Sequence, residues 1–158
     1  MTRQEALNTI WQRLFIVLCS SLLCCAIVLL TAGVARVGII VFLIGNIGGY
    51  VSVHRGLTEL KDDEVTGLSS SWWSIVVPPI VGGVLALVMY LLFLSNILGG
   101  DLFPTFEADA DSPKAIDSIL TQHADSMASY GKLLFWAFVA GFNQKYVVDI
   151  INSVKAKP

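Results

Sequence analysis

Three groups of side chains in this sequence have the composition to do chemistry. Asp62, Asp63 and Glu64 offer metal-ligand oxygens, yet three consecutive acids cannot converge on one ion from a helix, so the cluster reads as a solvated face or a partner contact. His54, beside Arg55, and His123 are the two histidines; either could make a pH-sensitive contact, and the plainer reading is an ordinary interfacial histidine. Cys19, Cys24 and Cys25 all fall within one apolar run, without the spacing or polar company of a disulfide framework or zinc site. They read as small apolar packing residues, and the adjacent pair Cys24 and Cys25 also has the chemistry for reversible acylation. No Ser/His/Asp or Cys/His set, phosphate-binding loop or HExxH occurs. The chain is not read as an enzyme, and neither a cofactor nor a metal is expected.

What must position these groups is a bilayer. The chain has 158 residues, 55% hydrophobic and 14% charged, with a mean hydropathy of +0.73, which places it with membrane proteins. A hydrocarbon core about 30 Å thick takes roughly 20 apolar residues as helix. Charge-free runs extend from Leu14 to Ala35, Val37 to Val53 and Val65 to Gly100. The last run, Leu133 to Gln144, is shorter and reaches spanning length only if Lys132 snorkels to the interface. The fold class expected is therefore an all-α integral membrane protein, with spans near residues 14–35, 37–53, 79–98 and 127–146 and an amphipathic extension before and after the fourth.

The first run follows Arg3 and Arg13 as a signal peptide would, and Gly33 and Ala35 make a passable cleavage site. It is longer than the 7 to 15 residues of a signal h-region, so it is read as a retained span. Only the short connection ending in Arg36 separates it from the second run, which makes the two an antiparallel hairpin. The polar connector from Arg55 to Ser71 leads to Trp72 and Trp73, aromatics of the headgroup level, and then to Pro78 and Pro79. Of two readings, a proline-kinked helix from Ser71 or a helix opened by the prolines at its first turn, the second is preferred. Beyond the third span, residues 99–131 combine an acidic, turn-rich loop with a pre-helix from Ser112-Pro113, where Ile116, Ile119, Leu120, His123 and Met127 fall at helical spacing. Residues 147–158 form an amphipathic tail.

Lipid gives helices no hydrophobic reason to associate, so close backbone approach through small residues has to supply the contact. Gly45, Asn46, Gly48 and Gly49 interrupt the middle of the second run, giving Gly45-x-x-x-Gly49 and Gly48-x-x-x-Ser52, and Gly82, Gly83 and Ala86 give the third span a matching face. These seven are the expected helix-packing residues, and Asn46 at mid-depth needs a polar partner.

Arg3, Arg13, Arg55, Lys61, Lys145, Lys155 and Lys157 flank one side and only Arg36, Lys114 and Lys132 the other, so the positive-inside bias puts both termini in the cytoplasm. The loop is then extracytoplasmic. A net charge of -2 without a basic run gives no footprint for nucleic acid. No ionisable residue lies within the first three predicted cores, which disfavours a coupled transporter.

The end of the fourth span resembles many small bacterial membrane proteins, in which Ala-Gly-Phe-Ser-Glu is followed by an aromatic, a proline and an acid. Ala140-Gly141-Phe142, Tyr146 and Asp149 match, whereas Asn143-Gln144 and Val148 replace Ser-Glu and Pro. The resemblance implies a helix leaving the membrane into a cytoplasmic amphipathic segment, and the missing proline favours a continuous helix. In size and layout, without a diagnostic motif, the chain also resembles the membrane subunit of the bacterial Kiwa anti-phage defence system. That implies a homo-oligomer holding a soluble cytoplasmic effector at the membrane, as a scaffold or sensor in antiviral defence. On this reading Lys145, Asp149, Ile150 and Lys155 belong to the docking surface, together with the middle connector. The alternative is a holin-like or channel-like pore subunit, which would want polar residues repeating along a span; the second shows Asn46 and Ser52 alone.

Overall fold

A computed structural model of the chain describes residues 3–30, 36–57, 65, 69, 72–106 and 124–144. Four helices carry it: α1 Arg3–Leu30, α2 Arg36–Gly56, α3 Trp72–Leu94 and α4 Met127–Phe142. Helix is what an apolar solvent demands, because it satisfies every backbone amide and carbonyl within the segment. At 1.5 Å per residue the 28, 21 and 23 residues of α1, α2 and α3 give lengths of about 42, 32 and 35 Å. Each of the three is long and apolar enough to cross a membrane. The 16 residues of α4 reach only about 24 Å, and it is a shorter apolar helix.

α2 is the central element: it packs along both α3 and α4, which also pack on one another, while α1 lies mainly against α2. The apolar core divides accordingly. One cluster, centred on Val41, Met89, Tyr90, Phe93 and Leu133, fills the space among α2, α3 and α4. The other joins Ala6, Ile10 and Leu14 of α1 to Leu57, Val65 and Ile75. Phe15, Leu23, Leu30 and Phe135 point away from the bundle and are more than half exposed, as lipid-facing side chains are.

The third helix corrects the expected boundaries at both ends. It begins at Trp72 with Pro78 and Pro79 inside it, not at Pro79. The prolines leave the carbonyls of Ser74 and Ile75 without helical donors, a defect that membrane helices tolerate when neighbours re-satisfy the backbone. It stops at Leu94, short of Leu98, because Asn96 turns left-handed at φ 54°. The Asn96 amide returns to Phe93 O at 3.0 Å and the Ile97 amide to Leu92 O at 3.2 Å, the bond pair of a Schellman cap.

The chain enters the fourth helix through a break. Ser126 is extended at φ -153°, ψ 162°, and caps α4 by accepting from the Ser129 amide. Just before it, Ala124 pairs with Phe106 in an isolated antiparallel bridge that closes the neck of the loop. The amphipathic pre-helix itself lies outside the described residues. At the other end Asn143 leaves helical geometry at φ -115°, ψ 71°, so the continuous helix expected there is interrupted after Phe142. Residues 147–158 lie outside the described residues. The first helix starts at Arg3, well before the charge-free run at Leu14. Arg13 is accommodated there because its guanidinium donates to Ser69 O at 2.8 Å and lies 5.4 Å from the Trp72 ring centre.

Candidate functional site

The small residues of α2 and α3 meet within one chain. A Cβ added at Gly45 would collide with the Cβ of Ala86 and come within 2.7 Å of Gly82 O. One at Gly49 would stand 2.8 Å from Pro79 Cα, and one at Gly83 2.7 Å from the Phe42 ring. Only glycine permits these approaches, because each blocking atom belongs to backbone, a packed methyl or a ring, not to a flexible side-chain tip. Gly48 turns to α4 instead, where an added Cβ would strike Phe138 O. All seven expected packing residues except Asn46 are thereby placed against a neighbouring helix.

Sequence reasoning missed the third partner. Gly141 of α4 faces Gly45 so closely that an added Cβ would overlap the Gly45 carbonyl oxygen, and a Cβ on Gly82 would lie 3.1 Å from Gly141 Cα. Gly45, Gly82 and Gly141 thus form a node at which three helices touch backbone to backbone. The spacing Ala137-x-x-x-Gly141, with both residues buried, was the available signal. Gln144 completes the contact by donating from Nε2 to Pro78 O at 3.0 Å, beside Gly49.

Asn46 is 8% exposed, and its Oδ1 has no hydrogen-bond partner, contrary to the expected polar pairing. The glycines around it bring in helical backbone, whose amides are already committed to their own ladders. The cysteines correct a second expectation: Cys19 and Cys24 are exposed and Cys25 half-buried, so they do not pack the interior of the chain. The docking residues Lys145, Asp149, Ile150 and Lys155 lie outside the described residues.

The end of the bundle where α3 stops and α4 starts is tied by a polar cluster. Asp125 accepts from Ser129 Oγ at 2.6 Å, from Ser126 Oγ at 2.9 Å and from the Thr105 hydroxyl. These hydroxyls, Ser129 first, hold its carboxyl below the ordinary value of 3.8, and nearby Lys132 adds a smaller push the same way. The Asp125 amide also donates to Thr105 O at 3.2 Å, so the loop entering α4 is fastened to the turn after α3. Trp136 adds a second tie, donating from Nε1 to Leu102 O at 2.9 Å and lying over Phe103 with ring centres 5.2 Å apart.

At the opposite end, His54 meets Trp11 edge to face at 4.4 Å and Tyr50 at 6.2 Å, where it joins α1 to α2. Among the described residues no group of three His, Cys, Asp or Glu side chains is placed to hold a metal ion. What the arrangement offers is helix packing and two fastened ends. The chain is thus a helical bundle of membrane character. Comparison with protein-family models, with curated proteins and with solved structures finds no match.

Proposed function

We propose that this protein is a four-span subunit of a bacterial inner membrane that assembles with copies of itself and holds a soluble cytoplasmic effector there, as a scaffold or sensor. The observation that carries the scaffold over the pore is the glycine node. With Gly45, Gly82 and Gly141 in backbone contact, the space among α2, α3 and α4 is closed by main chain instead of being lined by polar side chains. The small-residue seam is used up inside one chain, so copies meet through other surfaces. α4 serves as the fourth span although it is short, because Lys132 near its start can snorkel to the interface and the bilayer can thin to meet the helix. Both termini are cytoplasmic in this reading, and the role in anti-phage defence rests on the resemblance in size and layout to the Kiwa membrane subunit.

The effector docks on the tail from Lys145, including Asp149, Ile150 and Lys155, with the connector after Arg55. The test is truncation after Tyr146, with the complex purified in mild detergent from its host. The expected outcome is normal insertion and oligomer mass with the cytoplasmic partner lost. Retention of every partner by the truncated chain would make the tail a membrane anchor and end the docking reading.

A further inference from the structure

Gly131 is the one glycine in α4 that packing does not explain. A Cβ there would meet nothing within 4 Å, whereas Gly141 in the same helix has no room for one. A helix-interior glycine costs roughly 1 kcal/mol relative to alanine, so this position forgoes stability to keep a space open. The space is a groove of about 450 Å³, a size typical of small-molecule sites, between the Asp101-Leu102 turn and the α4 face carrying Gly131, Lys132, Phe135 and Trp136.

One wall of this groove is rigid, since Trp136 is bonded to Leu102 O and stacked on Phe103, which in turn lies 5.6 Å from Phe93. The other side is greasy and open: Leu102 is 76% exposed and Phe135 60% exposed. The two charges at the rim are of opposite sign, and among the described residues neither Asp101 nor Lys132 is held in an ion pair. Lys132 also lies near enough to Asp125 to lower that carboxyl, without an ion pair among the described residues. An ammonium, a carboxylate and exposed apolar surface on one groove are complementary to an amphiphile carrying both charges in its head.

We propose that this groove binds a zwitterionic phospholipid with a primary ammonium head, of the phosphatidylethanolamine class, at the extracytoplasmic interface. The phosphate pairs with Lys132, the ammonium with Asp101, and the glycerol end and acyl chain lie in the space left by Gly131 and along Phe135 and Leu102. An anionic lipid would satisfy Lys132 alone and bring negative charge against Asp101. The proposal goes beyond the scaffold reading; it takes its sidedness from that reading and needs α4 to begin at a membrane surface.

The test uses the full chain with Trp11, Trp72 and Trp73 each replaced by Phe, which leaves Trp136 as the sole indole and keeps a ring at each substituted position. It is reconstituted in phosphatidylcholine vesicles containing, at equal mole fraction, either phosphatidylethanolamine or phosphatidylglycerol brominated near the top of one acyl chain. Trp136 emission is expected to be quenched at least twofold more by the brominated phosphatidylethanolamine. Asp101→Asn should remove that preference, and Gly131→Leu, whose Cβ meets nothing within 4 Å, should remove it while leaving the unfolding temperature at or above that of the parent. Equal quenching by both lipids means ordinary annular contact, and stronger quenching by phosphatidylglycerol means an anionic site at Lys132; either overturns the proposal. No quenching by any brominated lipid would overturn the membrane placement of α4 as well.

Discussion

Gly141 and Gly45 touch through their backbones: the position a Cβ would take on Gly141 is occupied by the Gly45 carbonyl oxygen. No rotamer change can make room there, because both sides of the contact are main chain. Gly141→Ala must therefore push α4 off α2, and overpacking of a fitted interior typically costs about 1–3 kcal/mol. Gly131→Ala in the same helix should be neutral or stabilising by up to about 1 kcal/mol, since the added methyl has space and alanine favours helix. Unfolding of both variants in one detergent gives the comparison. Equal stabilities would mean that the node does not form.

Acid should loosen the end of the bundle where α4 begins. A carboxyl held below its unfolded value stabilises the folded arrangement above that value and loses the contribution as pH falls through the folded one. For Asp125 the hydroxyls of Ser129, Thr105 and Ser126 set this direction. The tie between Thr105 and α4 is thus complete above pH 3.8 and is lost progressively below it. Hydrogen exchange at the Asp125 amide, followed from pH 6 downward with correction for intrinsic rates, should show protection falling in that lower range. Asp125→Asn should flatten the profile; an unchanged profile would assign the acid response to another group.

Arg13 fastens the middle connector to α1 through the Ser69 carbonyl and the Trp72 ring. A charge-assisted hydrogen bond and a cation–π contact together contribute roughly 1–3 kcal/mol at a half-buried site. Arg13→Ala should speed protease cleavage between Leu57 and Trp72 about tenfold or more, whereas Arg13→Lys should recover part of the protection. If Arg13→Ala is cleaved at the parent rate, the connector is held by other contacts.

The sidedness expected from the basic residues can be read by cysteine labelling in intact cells. In a background lacking Cys19, Cys24 and Cys25, an impermeant maleimide should label Ser112→Cys and spare Lys61→Cys. Ser69 is a poor reporter because it is buried at 4% exposure. Preferential labelling at position 61 would invert the topology.

Hydropathy and glycine spacing are properties of short stretches, and they made the apolar helices and the pairing of Gly45 and Gly49 with Gly82, Gly83 and Ala86 legible from residues alone. They also placed α2 closely, because a run bounded by Arg36 and Arg55 has few places to start and stop. The prolines misled for a local reason: Pro78-Pro79 suits a first turn as well as a kink, and only contacts made by α3 with Gly49 and Gln144 decide between them. Asn46 looked like a residue that must find a partner, yet what surrounds a side chain is set by elements far away in the chain. The sharpest case is within α4. Gly131 and Gly141 are the same residue in the same helix, and nothing nearby in the sequence tells them apart. One faces open space and the other the backbone of α2, a distinction that exists only once the helices have come together.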